Sequence, residues 1–439
     1  MVSDPERQAG ELNEFRTGLY ACLGTWRDAL FELADALLTS SGPVTSLPML
    51  SLEPVFRRGH GSLYAALAGG RIDQTALSAL LSSVAPADWP PVFAVDTSAW
   101  PRPSAEASPE REFCHVPRRG GAAHIPGWTF SLVARVNPAA SGSSWTAPVN
   151  VRRLDPRTPR HAQTVAQVRD VAASLPAGSP PLFVLDAGYS GHALTRDLAG
   201  TPVQVLVRIR SDARLLREAP TRPPGAIGRP RVHGARIAPD ARPDEVLTEE
   251  DVRGVVTVRA WHRVHAVPRH GEAIVAGSML EVSIARPPRD DGVAPSRVLP
   301  PLRLFWTGPG EPDLALLWRA YLHRFDIEHT FRCWKGTLGW TVPALRTPAQ
   351  AERWTCLVAA VYTQLRLALG LVAEIRLPWH RVRDPARLTP GRVRRGFAHL
   401  LATLVPQARC PKPSKPGSGW PRGRPRPRPP RLEVVRRGG

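Results

Sequence analysis

Apolar positions recur along this chain with two different periods, and the changes of period divide it. Residues 1–85 keep helical spacing in FRTGLYACLGTWRDALFELADALL and again in FRRGHGSLYAALAGGRIDQTALSALLSSV, with the proline-bearing SGPVTSLPMLSLEPV between them. From Arg57 to Leu81 a basic start and a Gly-Gly turn between two short helical patterns suit either a DNA-contacting helix-turn-helix or an all-helical packing region. At Pro90 the period shortens to that of strands. PPVFAVD is an apolar run ending on Asp96, and TSAWPRPSAEASPEREF after it is polar and proline-rich enough to read as a loop. Gly127–Val136 and Trp145–Leu154 give two further strands, and Pro159–Leu175 gives a helix. PLFVLDAGYSG is again an apolar strand, ending on Asp186 and turning through glycine into HALTRDLAG, and Val203–Arg210 closes the series. This order predicts an α/β fold over residues 90–210, a mixed sheet with helices on both faces and active residues at strand ends.

Residues 211–300 are basic and proline-rich at first, then read as β-hairpins in GVVTVRAWHRVHAV and EAIVAGSMLEVSIAR, so an inserted β subdomain is expected there. Residues 301–400 return to the strand-and-helix pattern. Within them Thr347–Ile375 is a long, mostly apolar helix, interrupted by Glu352, Arg353, Gln364 and Arg366 and therefore assigned to core packing rather than to a membrane. The tail 411–439 is Pro, Arg and Gly with almost no large apolar residues, and is expected to be disordered when free. Arg422 and Arg424 in Pro421–Pro425 look like the core of an AT-hook lying in a narrow minor groove, or serve as a generic electrostatic tether.

Charge changes the picture at one helix. Asp313 can cap it and Gly336 can end it, with Leu314, Leu317, Trp318, Tyr321 and Phe325 forming an apolar stripe. Arg324, Glu328 and Lys335 follow Tyr321 by three, seven and fourteen residues, which at about 100° per residue keeps all of them within roughly 60° of it. Arg319, His323, Asp326 and Thr330 supply a solvent face opposite. An inward carboxylate at Glu328 needs a cation, either a metal or a base such as Arg324 one turn back.

The whole chain carries a net charge of +20, and only three of its 58 basic residues are lysine, a guanidinium excess suited to a polyanion. No long apolar run or leader is evident near Met1, so a cytoplasmic, nucleoid-associated protein without a membrane segment is expected. The five cysteines show no C-x-x-C spacing, and His262 and His265 have no third ligand nearby, which points away from zinc and disulfides. Asp96, Asp186 and Glu328 instead form a hard oxygen set. Each strand-end aspartate alone could simply satisfy turn amides. Together the three carboxylates suit two Mg²⁺ ions, with Mn²⁺ able to substitute, in phosphoryl transfer.

Tyr321, Arg324, Glu328 and Lys335, with two, three and six residues between them, match the Tyr-Arg-Glu-Lys signature of DDE transposases of bacterial insertion sequences. The Asp after VFAV, the Asp of Asp-Ala-Gly-Tyr and the β insertion before the Glu fit as well, and residues 90–397 resemble that family throughout. The resemblance implies a ribonuclease-H-like core with Asp96, Asp186 and Glu328 as the catalytic, metal-holding triad. It implies that Tyr321, Arg324 and Lys335 contact DNA phosphates, and that Trp261 or Trp306 stacks on a flipped base, although core packing is the commoner fate of an aromatic in a hairpin. The implied reaction is metal-dependent strand cleavage followed by strand transfer. The implied partners are double-stranded DNA with terminal inverted repeats, target DNA and a second copy of the chain in a synaptic complex. Two rivals remain open at this point, a ribonuclease-H-like nuclease without strand transfer and a non-catalytic DNA-binding descendant.

Overall fold

A computed structural model describes residues 5–118, 121–139, 142–176, 178–225, 227–238, 240–268, 272–285, 300–413, 421–425 and 429–436. Five helices lead: α1 (Pro5–Cys22), α2 (Arg27–Thr39), α3 (Leu47–Leu50), α4 (His60–Gly69) and α5 (Gln74–Ser83), the last capped by the Asp73 carboxylate accepting from the Ala76 N–H. Then come β1 (Val92–Pro101), β2 (Glu112–Arg118), β3 (Gly121–Arg135), β4 (Ala147–Arg153), α6 (Arg160–Ser174), β5 (Leu182–Leu185), α7 (Gly191–Asp197) and β6 (Gln204–Arg208). They are followed by β7 (Leu215–Glu218), β8 (His233–Arg236), β9 (Glu245–Asp251), β10 (Gly254–Ala266), β11 (Gly277–Ala285) and β12 (Leu302–Thr307). The chain ends with α8 (Leu314–His323), α9 (Asp326–Gly336), α10 (Pro348–Leu367) and α11 (Pro390–Leu401).

The strands form one open mixed sheet in the order β2-β3-β1-β5-β6-β12-β11-β10-β7-β8, with β4 on β3 and β9 on β10. β1, β5 and β6 run parallel to one another and the remaining pairs are antiparallel. This arrangement is broadly compatible with a ribonuclease-H-like one. The expected insertion is continuous with the sheet: β12 pairs with β6, Phe305 opposite Val207 and Trp306 opposite Leu206, so β12, β11 and β10 prolong the same surface. An unpaired β6, with Val205 to Val207 all buried, would leave a row of amides without partners, and β12 supplies them. Residues 286–299 of the expected insertion lie outside the described residues.

Alternation along the central strands sorts their side chains onto two faces. Phe93, Val95, Phe183 and Leu185 point to the face covered by α6 and α7, where they meet Val165, Val168, Val171 and Leu194. Val92, Ala94, Leu182 and Val184 point to the other face, in the same cluster as Ile327, Phe331 and Trp334 of α9, much of α10, and Leu12, Leu30, Leu63 and Leu77 of the leading helices. The amino-terminal helices therefore share their core with the later helices and the sheet. The apolar sides of α4 and α5, the pair open to a helix-turn-helix reading, are spent in that packing.

Two local expectations are corrected by backbone geometry. The long apolar helix stops at Leu367, not Ile375, where Gly370 turns the chain at φ 97°. The tail is only partly free. Leu432 donates its N–H to the Glu106 carbonyl at 2.8 Å, the Arg111 guanidinium donates to the Leu432 carbonyl at 3.0 Å, and Val435 bridges Glu112 at the start of β2. Residues 414–420 and 426–428 of the tail lie outside the described residues.

Candidate active site

Asp96 stands in the middle of β1 rather than at its end. The strand runs on to Pro101, because Thr97 to Pro101 stay paired with β3 and the fully buried Trp100 packs against Trp128, Phe130 and Trp340. Asp186 does follow the end of β5, as expected. Val92, Phe93 and Ala94 lie level with Leu182, Phe183 and Val184. Carrying that register two residues further sets Asp96 level with Asp186, and alternation turns both toward the face that α9 covers.

The signature helix is two helices. Arg324 and Phe325 keep right-handed backbone angles, but Phe325 N–H bonds to the Leu322 carbonyl at 3.2 Å, Ile327 to Arg324 at 3.2 Å and Glu328 to Phe325 at 3.0 Å, all three residues back. Such a tightened turn rotates α9 relative to α8 and replaces the single stripe. The expected solvent face is corrected accordingly. His323, Asp326 and Thr330 are buried, Phe325 is 44% exposed, and His323 Nδ1 meets Asp326 Oδ2 at 2.7 Å across the turn. Only Arg319 of that set stays half-exposed, paired to Glu249 at 2.8 Å.

The turn also delivers Arg324 to the carboxylates. Its guanidinium lies 3.4 Å from Asp96 Oδ2 and 3.6 Å from Glu328 Oε1. Burial alone would lower the pKa of Arg324, yet the charges of Tyr321, Asp96, Asp186 and Glu328 outweigh it and hold the pKa up. Burial raises the Asp96 carboxyl to about 6; Arg324 and the Thr97 N–H, which donates to Oδ1 at 2.7 Å, pull it back, and Asp186 and Glu328 push it further up. Asp96, Asp186 and Glu328 thus feel one another, and a single guanidinium serves them. Arg324 occupies this interior position instead of a phosphate-facing surface.

The other named residues are distributed more widely. Tyr321 is buried beneath Arg324, whose guanidinium lies 5.6 Å from its ring centre, and desolvation raises its pKa. Lys335 is exposed at the far end of α9, its ammonium 5.9 Å from the centre of the Trp340 ring, where desolvation lowers its pKa. Trp261 and Trp306 are both buried. Trp261 packs with Leu215, Val264, Met279 and Phe305, and Trp306 donates to Gln204 Oε1 at 3.0 Å, so neither ring presents a free face. Arg422 and Arg424 are exposed and far along the sequence from the carboxylates. Sequence reasoning missed Tyr189, whose hydroxyl is pushed up to about 12 by burial and by the charge of Asp96; the Asp-Ala-Gly-Tyr run was the available signal.

The profile described as DDE superfamily endonuclease matches residues 18–267, more than half of the chain, and takes in both Asp96 and Asp186. The chain belongs to the DDE superfamily endonuclease family. The matched stretch ends before Glu328. No curated protein matches the chain. Membership in the DDE superfamily gives the chain a transposase-like, nuclease-type character in general terms, with DNA as the class of partner, and DDE chemistry in general depends on metal ions. Among the described residues no helix is long and apolar enough to cross a membrane.

The donors can be tested against the divalent cations this superfamily implies. Three carboxylates are a hard oxygen set, and the raised pKa of Asp96 marks a shortage of positive charge that a divalent cation would relieve. In spacing, the described residues hold no group of three or more His, Cys, Asp or Glu arranged to bind a metal. Arg324 lies within 3.4 Å of Asp96 and 3.6 Å of Glu328. The three carboxylates match such a cation in donor type.

Proposed function

We propose that this chain is a DDE transposase that cuts DNA at the ends of an insertion element and joins the freed end to target DNA. In this reading Asp96, Asp186 and Glu328 are the catalytic carboxylates of a ribonuclease-H-like core built from residues 90–210 and 301–400, with 211–300 as its inserted β region. One observation carries the reading: Asp96 lies on β1, Asp186 follows the neighbouring parallel strand β5 directly, and Arg324 ties the first of them to Glu328.

Asp96, Asp186 and Glu328 would hold Mg²⁺ or Mn²⁺. When bound, the ions supply the Lewis acidity that in-line phosphoryl transfer needs. The protein's own groups prepare the place. Arg324 keeps two carboxylates from driving each other apart, and once displaced from them its guanidinium is free to donate to a phosphate oxygen. Tyr321, with its pKa raised, stays a neutral hydroxyl donor at physiological pH. Lys335, Arg422 and Arg424 lie at the surface, where they can neutralise backbone charge. Duplex DNA with terminal inverted repeats, a target duplex and a second copy of the chain are the proposed partners.

The test supplies a duplex carrying the element's end, either intact or pre-cut with a free 3′-hydroxyl, together with Mg²⁺ and a target plasmid. A transposase cuts the first and joins the second to the plasmid. Cutting without joining would assign a nuclease, and binding without either would assign a DNA-binding descendant. Asp186→Asn should bind the duplex as wild type does and neither cut nor join.

A further inference from the structure

Beside α9 lies a second basic feature that the proposed reaction does not use. A cleft of about 600 Å³ opens between α9, the segment 142–145 before β4 and the segment 383–391 that leads into α11. Arg332 projects from α9 into it, and Arg383 and Arg387 face it from the opposite wall. Ser143, Ser144 and Thr389 add hydroxyls, and no aspartate or glutamate lines it. All three arginines are exposed, and none enters any ion pair formed by the described residues. Their neighbour Arg392 behaves differently, committed to Glu374 at 2.6 Å. The loop carrying two of them also exposes Trp379 and Val382, each 75% accessible, next to Arg381.

From these features we infer that the cleft binds backbone phosphate of the DNA duplex flanking the cut, with Arg332, Arg383 and Arg387 as the phosphate ligands. The inference rests on the proposed reading that DNA is cut at Glu328. Three guanidiniums outside the ion pairs of the described residues line one cleft together with hydroxyls, and Arg332 donates to His329 Nδ1 at 3.3 Å. They form a phosphate-binding surface, since Arg presents paired N–H donors to phosphate oxygens. The placement fits a duplex. Arg332 and Glu328 are four residues apart on α9, one turn along the same side of the helix, a rise of about 6 Å. Phosphates along one strand advance about 3.4 Å each, so DNA entering the carboxylate site meets Arg332 about two nucleotides away.

Equilibrium binding of full-length protein to a fluorescent duplex carrying the element end, measured across 50–300 mM salt, tests this. Arg332→Gln and Arg387→Gln should each lower the salt slope by about one unit, as loss of one phosphate contact does. Arg7→Gln, at an exposed site on α1, should leave the slope at the wild-type value, and thermal melts confirm that all variants are folded. If both cleft variants keep the wild-type slope while wild type still cuts DNA, the cleft is not a phosphate site and the catalytic reading stands. If wild type does not bind the duplex, the cleft proposal falls as well. If wild type binds the duplex without cutting and the slopes change, the cleft stands and the catalytic reading fails.

Discussion

Replacing Asp96 by Asn tests the electrostatics of the carboxylate site before any DNA is added. In the folded chain its pKa rises from 3.8 to about 6; a gap of about two units at about 1.4 kcal/mol each amounts to about 3 kcal/mol. The sign follows from which state holds the proton. Above the folded pKa both states are ionised and the fold bears the whole cost of a buried charge with too little compensation. As pH falls from about 7 toward 4, the folded state takes up a proton that the unfolded chain does not, and stability rises. Below the unfolded value nothing more is gained. Asp96→Asn keeps the shape and removes the charge, so at pH 8 in EDTA it should melt a few degrees above wild type, with about 3 kcal/mol as the ceiling because Arg324 keeps only Glu328 as an ion-pair partner. The margin should shrink toward pH 5. Melting curves of the two proteins at half-unit steps from pH 5 to 8 read this directly. Parallel curves, or a variant less stable than wild type at pH 8, would show that Asp96 is not a strained carboxylate and would remove the argument for a missing cation.

Three further outcomes follow from the same contacts. Millimolar Mg²⁺ or Mn²⁺ at pH 8 should raise the melting temperature of wild type and leave that of Asp96→Asn unmoved; equal shifts in both would place any bound ion elsewhere. Arg324→Gln leaves Asp96 and Glu328 facing each other without the guanidinium and should cost about 2–4 kcal/mol in urea unfolding at pH 8, less at pH 5 where Asp96 gains its proton. Trp261→Phe should cost less than about 1.5 kcal/mol, because the buried indole N–H has no partner to lose and the ring is packing core; a normal melt combined with a large loss of DNA affinity would instead return Trp261 to a DNA-facing role.

Much of the sheet was legible because its strands announce themselves in apolar runs bounded by polar, proline-rich turns. What the pattern could not convey was pairing. The second half of β1 and the first two residues of β2 read as loop, yet Thr97 to Pro101 are held by β3, and nothing local in that stretch reveals a partner some thirty residues away. The same blindness hides how β10 and β11 continue the sheet through β12, whose pairing with β6 joins strands about a hundred residues apart in the chain. At the site, Asp186 follows its strand as expected, while Asp96 lies inside β1. The reading of α8 and α9 as one helix failed because a 100° periodicity cannot register a turn whose hydrogen bonds reach back three residues. That turn puts His323 and Asp326 inside, sends Phe325 out, and brings Arg324 to the carboxylates. Of the sequence's two alternatives for Glu328, a base or a metal, the base is in place at 3.6 Å.

Glu328 lies outside the stretch that shows the family, so the most direct test falls on it. Glu328→Gln and wild type are compared for binding and for Mg²⁺-dependent cleavage of the same element-end duplex. The account predicts matched binding curves with cleavage abolished in the variant. Cleavage at the wild-type rate by Glu328→Gln would contradict it, and the third carboxylate would have to be sought elsewhere.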